Sequence, residues 1–152
     1  MSKTTRGFPF QPVPGDVELV EKKVLDAAFK VHTGLGPGLL ESVYEACLAY
    51  EIHKSGLKVE TQVALPVVYE GVHVDAGLRM DMLVEKCVIV EIKSVETMNP
   101  VYKAQLLTYL KLTKIRLGYL INFNVPHLRD GFERMVSSVQ AGCQSVLVFW
   151  VR

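Results

Sequence analysis

The chain has 152 residues, of which 49% are hydrophobic and 22% charged, and this is the size and composition of one soluble globular domain with a full hydrophobic core. The formal net charge of +1 is evidence against a nonspecific, high-affinity DNA binder. Any nucleic-acid binding must therefore come from a local patch of the surface, and a small enzyme remains compatible with this charge.

Two further observations bear on location. No apolar run approaches the ~20 residues needed to cross a bilayer, so we expect no membrane association. Residues 1–15 lack the apolar segment of a secretory signal, and three cysteines without a CxxC pair fit a reducing compartment. We therefore expect a cytoplasmic protein with a flexible arm over residues 1–15 and a single domain over residues 16–152.

The first half of the chain predicts two helices followed by strands. Apolar residues at helical spacing indicate a first helix over residues 16–33, capped by Asp16, and a second over residues 39–54. A glycine-rich turn at residues 34–38 separates them. Strand-like runs follow at residues 59–69, 72–74, 78–84 and 87–94. Pro66 indicates an edge position or a bulge in the first of these runs.

The second half predicts one helix among strands. Asn99 is a helix cap and Pro100 suits the first helical position, so we expect a third helix over residues 99–113. Residues 117–123 and 145–151 are strand-like, whereas residues 128–138 are ambiguous. This order of elements predicts a mixed sheet with helices packed on it, in an α/β or α+β domain.

Acidic and basic residues meet where two strand-like runs end. Asp81 lies in the first run, and Glu91 and Lys93 end the second, which is otherwise apolar. Because side chains alternate along a strand, Glu91 and Lys93 share a face while Ile92 points to the opposite one. Two carboxylates and an ammonium group at the end of a buried strand are costly unless something pairs with them.

A divalent metal and a phosphate would satisfy all three groups. Asp81 and Glu91 offer the oxygen ligands that Mg²⁺ or Mn²⁺ prefers, and Lys93 can orient or deprotonate the attacking water or neutralise charge on the phosphorus. The alternative is a solvated strand end where Glu91 and Lys93 form a surface ion pair. We favour the metal site because the preceding strand is too apolar for an exposed edge.

Glu41 is a further acidic candidate. At ~100° per residue it falls on the same side of the second helix as Tyr44, Leu48 and Ile52, and a carboxylate in an apolar stripe needs a partner. It can add an acidic group near the metal. It can equally be a first-turn glutamate that favours the helix dipole, and the residues alone leave both interpretations open.

Gln105 and Tyr109 lie four residues apart on the third helix and so share a face, together with Tyr102. They can contact a nucleotide or orient the lysine. The alternative is a helix face on which two aromatic rings pack against the sheet, and this is equally compatible with the sequence.

Several motifs together resemble a known family. Residues 38–44 read GxxExxY, and they are followed by Glu-Ile-Lys-Ser at 91–94, by a helix with Gln105 and Tyr109, and by Leu-Ile-Asn-Phe at 120–123 with Leu128, Gly131 and Arg134 after it. With these motifs the chain resembles the GxxExxY protein family, a branch of the PD-(D/E)XK nuclease superfamily, over residues 17–136.

The resemblance implies a restriction-endonuclease-like core, in which a mixed central sheet is flanked by helices. It implies Asp81, Glu91 and Lys93 as the catalytic triple and Glu41 as an additional catalytic acidic residue. The implied metal ligands are Asp81, Glu91 and Glu41. One departure is Met80, which stands where the superfamily name has proline, at a position that does not touch the metal.

The resemblance also bears on substrate contacts. Gln105 and Tyr109 resemble the QxxxY element of RecB-like nucleases, and with Tyr44 they are the substrate-binding residues that we predict. We expect a Mg²⁺-dependent (or Mn²⁺-dependent) nuclease acting on DNA. The alternatives are a nucleic-acid-binding or regulatory module that cleaves little, and a small-molecule or RNA phosphodiesterase. The compact core leaves little room to wrap a duplex, which is compatible with a homodimer.

Overall fold

A computed structural model of the chain describes residues 15–75, 77–138 and 147–151. The predicted arm lies outside the described residues except for Gly15, and so do Cys143 and the first residues of the last predicted strand. The helices are α1 (Gly15–Leu35), α2 (Glu41–Lys54) and α3 (Pro100–Thr113). The strands are β1 (Val59–Ala64), β2 (Val67–Tyr69), β3 (Val72–Val74), β4 (Arg79–Val84), β5 (Val88–Lys93), β6 (Leu117–Asn122), β7 (Phe132–Ser138) and β8 (Leu147–Val151).

Six of these strands form one mixed sheet in the order β1-β4-β5-β6-β7-β8. Strands β5 and β6 run parallel, with Glu91 opposite Leu120 and Lys93 opposite Asn122, and α3 connects them. The other described neighbours in this sheet are antiparallel. Strands β2 and β3 form a separate two-stranded hairpin.

Helices cover both faces of the sheet. Val88, Val90 and Ile92 point to the face that α1 and α2 cover, where they pack in one apolar core. Ile89 points to the opposite face and packs with Leu106 of α3 in a second core. The predicted mixed sheet with flanking helices is therefore confirmed, and so is the orientation of the apolar side chains along β5.

The third helix begins as the sequence predicts. The Asn99 side chain accepts a hydrogen bond from the Val101 amide at 2.9 Å, and Pro100 occupies the first turn. An asparagine cap satisfies an amide that has no partner within the helix, and proline there loses no helical hydrogen bond. The cap and the proline thus determine the residue at which α3 begins.

The run over residues 59–69 is two strands rather than one. Strand β1 pairs with β4 as far as Ala64, and the Leu65 amide then donates to the Leu78 carbonyl at 2.9 Å. Pro66 follows, and because it has no amide hydrogen it ends the pairing, so that β2 joins the separate hairpin. The ambiguous residues 128–138 form a 3₁₀ turn (Leu128–Gly131) and then β7.

Two remaining features concern the described residues only. Cys47 and Cys87 are free thiols and half-buried. Among the described helices, none combines the length and apolar character that a membrane span requires.

Candidate active site

The candidate site forms where the backbone pairing of β4 with β5 ends and side chains bond to the backbone of the neighbouring strand instead. Backbone pairing runs from Val84 opposite Val88 to Met82 opposite Val90. At the next position side chains take over, because the Asp81 amide donates to Glu91 Oε1 at 3.1 Å and the Ile92 amide donates to Asp81 Oδ2 at 2.8 Å. The fold thus brings the two carboxylates together through reciprocal hydrogen bonds to each other's strand.

The electrostatics of this pair are unfavourable for two full negative charges. Glu91 is only 3% exposed. Burial, followed by the negative charge of Asp81, raises the pKa of Glu91 to about 8, and the nearby Lys93 ammonium opposes this rise only in part. The Asp81–Glu91 pair therefore holds a proton at neutral pH unless a cation takes its place.

Lys93 lies on the same face of β5 as Glu91, as alternation along the strand predicts. Its Nζ atom lies 4.7 Å from the centroid of the Tyr102 ring, which α3 supplies from its first turns. A ring face attracts an ammonium group through its quadrupole. The structure therefore holds Lys93 against an aromatic ring, and not in the surface ion pair with Glu91 that was the alternative interpretation.

Gln105 and Tyr109 contact each other. Gln105 Nε2 donates to Tyr109 Oη at 2.8 Å, and Tyr109 is 2% exposed, whereas Gln105 is exposed. Burial, and then the negative charge of Glu91, raises the pKa of Tyr109. The helix α3 therefore brings this pair to the Glu91 side of the site, with Gln105 as the member that is open to solvent.

Glu41 does not lie in the apolar stripe that helical periodicity predicts. Tyr44, Leu48 and Ile52 are fully buried, but Glu41 is exposed because α2 begins at this residue and its first turn extends past the core. Glu41 Oε1 accepts a hydrogen bond from the Ser94 amide at 3.2 Å. It thus begins a helix and also reaches the end of β5.

Tyr44 is not at the substrate-contacting position that we expect from the sequence. Its ring is fully buried and stacks on Phe123, with the ring centroids 4.5 Å apart. Its hydroxyl donates to the Gly36 carbonyl at 2.6 Å and accepts from the Leu39 amide at 3.1 Å. Tyr44 therefore holds the turn before α2 and presents no surface to a substrate.

An open cleft of about 550 Å³ lies over this end of the sheet. Four of its polar residues, Ser42, Glu45, Gln62 and Ser94, are not among the site residues that the sequence predicts. Glu45 accepts a hydrogen bond from Gln62 Nε2 at 2.8 Å, and burial together with the charges of Asp81 and Glu41 raises its pKa. Its spacing of one helical turn after Glu41 is a signal that could have identified it. The lining residues are Leu39, Leu40, Glu41, Ser42, Glu45, Gln62, Asp81 and Ser94.

The family of the chain follows from comparison with known proteins. A family model of the PD-(D/E)XK nuclease superfamily matches residues 18–135. The chain belongs to the PD-(D/E)XK nuclease superfamily. Its mixed sheet with flanking helices is accordingly a restriction-endonuclease-like fold, and its function is of the nuclease type. No curated protein and no solved structure gives a significant match to it.

Divalent metals are general in PD-(D/E)XK nucleases, and the donor chemistry of the carboxylate pair fits Mg²⁺ or Mn²⁺. The two backbone hydrogen bonds engage Asp81 Oδ2 and Glu91 Oε1, so each group has a second oxygen outside them. Over residues 15–75, 77–138 and 147–151, no three His, Cys, Asp or Glu side chains are grouped as a metal site. Main-chain oxygens and water, which Mg²⁺ retains in most sites, would complete the coordination.

Proposed function

We propose that this PD-(D/E)XK nuclease is a member of the GxxExxY branch that hydrolyses phosphodiester bonds in DNA with Mg²⁺ or Mn²⁺ bound at Asp81 and Glu91. The observation that carries the proposal is the buried carboxylate pair, whose members bond reciprocally to each other's strand. The raised pKa of Glu91 supports it, because a cation would relieve the repulsion that burial and Asp81 create.

Each polar residue around the pair has a role in this proposal. A cation held by Asp81 and Glu91 would supply Lewis acidity for the activation of water and for stabilising the leaving oxygen. Lys93, held at the Tyr102 ring, orients or deprotonates that water or neutralises charge on the phosphorus. Gln105 lies exposed on the same side, where it contacts the nucleotide and orients Tyr109.

Glu41 supports the metal site indirectly in this proposal. Its carboxylate bonds to the Ser94 amide and also lines the cleft that contains Asp81. It therefore adds negative charge near the cation through a bridging water, and it steadies the strand end that carries Lys93.

A second candidate is a nucleic-acid-binding or regulatory module that cleaves little. Within the described residues, no third acidic side chain joins Asp81 and Glu91 as a metal ligand, and this favours weak cation affinity. The residues that line the cleft include three carboxylates and no lysine or arginine, so phosphate binding there depends on the cation and on Lys93.

Cleavage of labelled DNA and RNA in Mg²⁺, in Mn²⁺ and in EDTA tests the proposal. We expect DNA cleavage with either metal and none with EDTA. Lys93→Ala should slow cleavage by about 10²- to 10⁴-fold, the usual contribution of a positioned acid or base, and leave Mn²⁺ binding intact. Binding of DNA without cleavage would favour the second candidate, and faster cleavage of RNA would favour an RNA phosphodiesterase.

Glu18→Gln is the matched control for substitutions of acidic residues. Glu18 is exposed in the first turn of α1, two residues after Asp16. Burial, and then the negative charge of Asp16, raises the pKa of the Cys87 thiol, so the start of α1 lies near the turn between β4 and β5. That turn is at the opposite end of the two strands from Asp81. The control should cleave as the wild type does, and equal rates for wild type and Lys93→Ala would contradict the role of the lysine.

The cytoplasmic location and the homodimer stay predictions, which fractionation and sedimentation can check.

A further inference from the structure

The start of α2 is tied to the end of β5 by the residue that follows Lys93. Ser94 Oγ donates to the Leu39 carbonyl at 2.6 Å, and the Ser94 amide donates to Glu41 Oε1 at 3.2 Å. Both bonds join the proposed catalytic strand to the turn that carries Glu41. The position of Glu41 relative to Lys93 therefore depends on how firmly this turn is held.

Tyr44 holds the same turn from inside the protein. Its hydroxyl bridges the Gly36 carbonyl and the Leu39 amide, so that Tyr44 and Ser94 between them fix both polar backbone groups of Leu39. Gly36 and Gly38 have φ angles of 69° and 95°, which side chains rarely allow, and the turn therefore requires glycine at both positions.

The Tyr44 ring is in turn anchored to β5. It stacks on Phe123, and the Phe123 amide donates to the Lys93 carbonyl at 2.9 Å. A continuous set of contacts thus runs from Lys93 through Phe123 and Tyr44 to the turn, and returns through Ser94 to the strand.

We propose that Tyr44 and Ser94 are positioning residues that fix the turn at residues 36–40, so that the Glu41 carboxylate meets the strand end carrying Lys93. This inference rests on the proposed function for its effect on cleavage. It accounts for three letters of the GxxExxY motif together: the glycine shapes the turn, the tyrosine closes it and the glutamate is the group delivered to the site.

The first experiment needs no activity. Amide exchange measured by NMR should show the Ser94 amide exchanging at least tenfold faster in Tyr44→Phe than in the wild type, although the hydrogen bonds of the Tyr44 hydroxyl go to Gly36 and Leu39 and not to Ser94. The Val90 amide in the core of β5 reports global unfolding and corrects for any loss of stability. Tyr50→Phe is the matched control, since Tyr50 lies on the same helix with a side chain that is 64% exposed. Unchanged Ser94 exchange in Tyr44→Phe would overturn the proposal.

The second experiment measures kcat for DNA cleavage by Tyr44→Phe, Glu41→Gln and the double variant. If Tyr44 acts through Glu41, the double variant should match Glu41→Gln within about twofold, because residues that act through one another are not additive. If the double variant instead loses kcat by the product of the two single-variant factors, the proposal is contradicted. That result is expected if Tyr44 acts on stability alone. Absence of cleavage by the wild type would reject the proposed function, and the exchange measurement would then decide on the positioning role alone.

Discussion

Glu91 is a carboxyl group that the fold buries beside another carboxylate. An ordinary glutamate in the unfolded chain titrates near 4.5, whereas the pKa of Glu91 in the folded protein is about 8. The folded protein therefore retains a proton that the unfolded chain releases between these two values. Burial is the main cause of this difference; the negative charge of Asp81 adds to it, and the Lys93 ammonium opposes it.

This difference predicts the dependence of stability on pH in the absence of metal. Because the folded state binds more protons, the free energy of unfolding should fall as pH rises from about 4.5 to about 8 and level off above, with a slope of up to about 1.4 kcal/mol per pH unit. Urea unfolding in EDTA at several pH values measures the slope. Glu91→Gln should lose most of it and Glu18→Gln should keep it; an unchanged slope in Glu91→Gln would mean that Glu91 is not the titrating group.

Tyr102 gives a second prediction at the scale of single residues. The ring face near Lys93 Nζ attracts the ammonium by about 0.5–2 kcal/mol, and Tyr102→Leu removes that attraction. We expect cleavage to slow by about 3- to 30-fold in Tyr102→Leu and to stay near the wild-type rate in Tyr102→Phe, which keeps the ring. Equal rates for the leucine and phenylalanine variants would show that the ring does not hold the lysine.

At the scale of elements, local chemistry made most boundaries predictable. The Asn99 cap and the apolar run of β5 act through neighbouring residues, and the structure reproduces both. The break at Pro66 was visible in sequence as an irregularity, but the separate hairpin was not, because it depends on where β1 meets β4. Residues 128–138 were ambiguous because a short 3₁₀ turn precedes the strand without a periodic pattern of its own.

The candidate site, like the boundaries of the elements, was predictable where local patterns along the chain determine it. Alternation along β5 correctly placed Glu91 and Lys93 on one face. The exposure of Glu41, the burial of Tyr44 and the presence of Glu45 in the cleft depend on how α2 docks against the sheet. Helical periodicity describes one helix and carries no information on that docking, which explains why these three positions differ from expectation or were overlooked.

Close packing between elements predicts a graded effect of three glycine substitutions. A Cβ at Gly131 would lie 2.1 Å from the Asn122 backbone oxygen, whereas one at Gly118 would lie 2.9 Å from a flexible methyl group of Leu106. Gly118→Ala should therefore cost about 1–3 kcal/mol of unfolding free energy, and Gly131→Ala should cost more. Gly34→Ala, which meets nothing within 4 Å at the end of α1, should be neutral or stabilising by up to about 1 kcal/mol. Urea unfolding of the three variants checks the order, which a larger loss in Gly118→Ala would contradict.

At the scale of the whole molecule, the sheet gathers the proposed chemistry at one end. The α3 crossover between β5 and β6 returns the chain so that Lys93 lies opposite Asn122, and α2 approaches the same end from the other face. Groups from four elements, α2, β4, β5 and α3, converge there although up to about 70 residues separate them along the chain. The start of α2 lines the cleft over this end of the sheet, together with Asp81 and Ser94.

Metal binding should therefore stabilise the entire fold. A cation that binds only the folded protein adds about 2.7 kcal/mol at a concentration 100 times its dissociation constant. We expect Mn²⁺ to raise the melting temperature, and to do so at lower concentration as pH rises toward 8, because protons compete with the metal for Glu91. Glu91→Gln should abolish this shift and Glu18→Gln should retain it, as thermal unfolding can show. A shift that persists in Glu91→Gln would place the metal elsewhere.

The hydrogen bond from the Ile92 amide to Asp81 also determines which catalytically inactive variant would keep the fold needed for substrate-binding experiments. Asp81→Ala would leave a buried amide without an acceptor, at a cost of about 1–3 kcal/mol, whereas Asp81→Asn keeps an oxygen in that position and removes only the charge. Loss of cleavage in the alanine variant would therefore be ambiguous between chemistry and folding. The asparagine variant is the form in which an uncut substrate can be captured on an intact sheet.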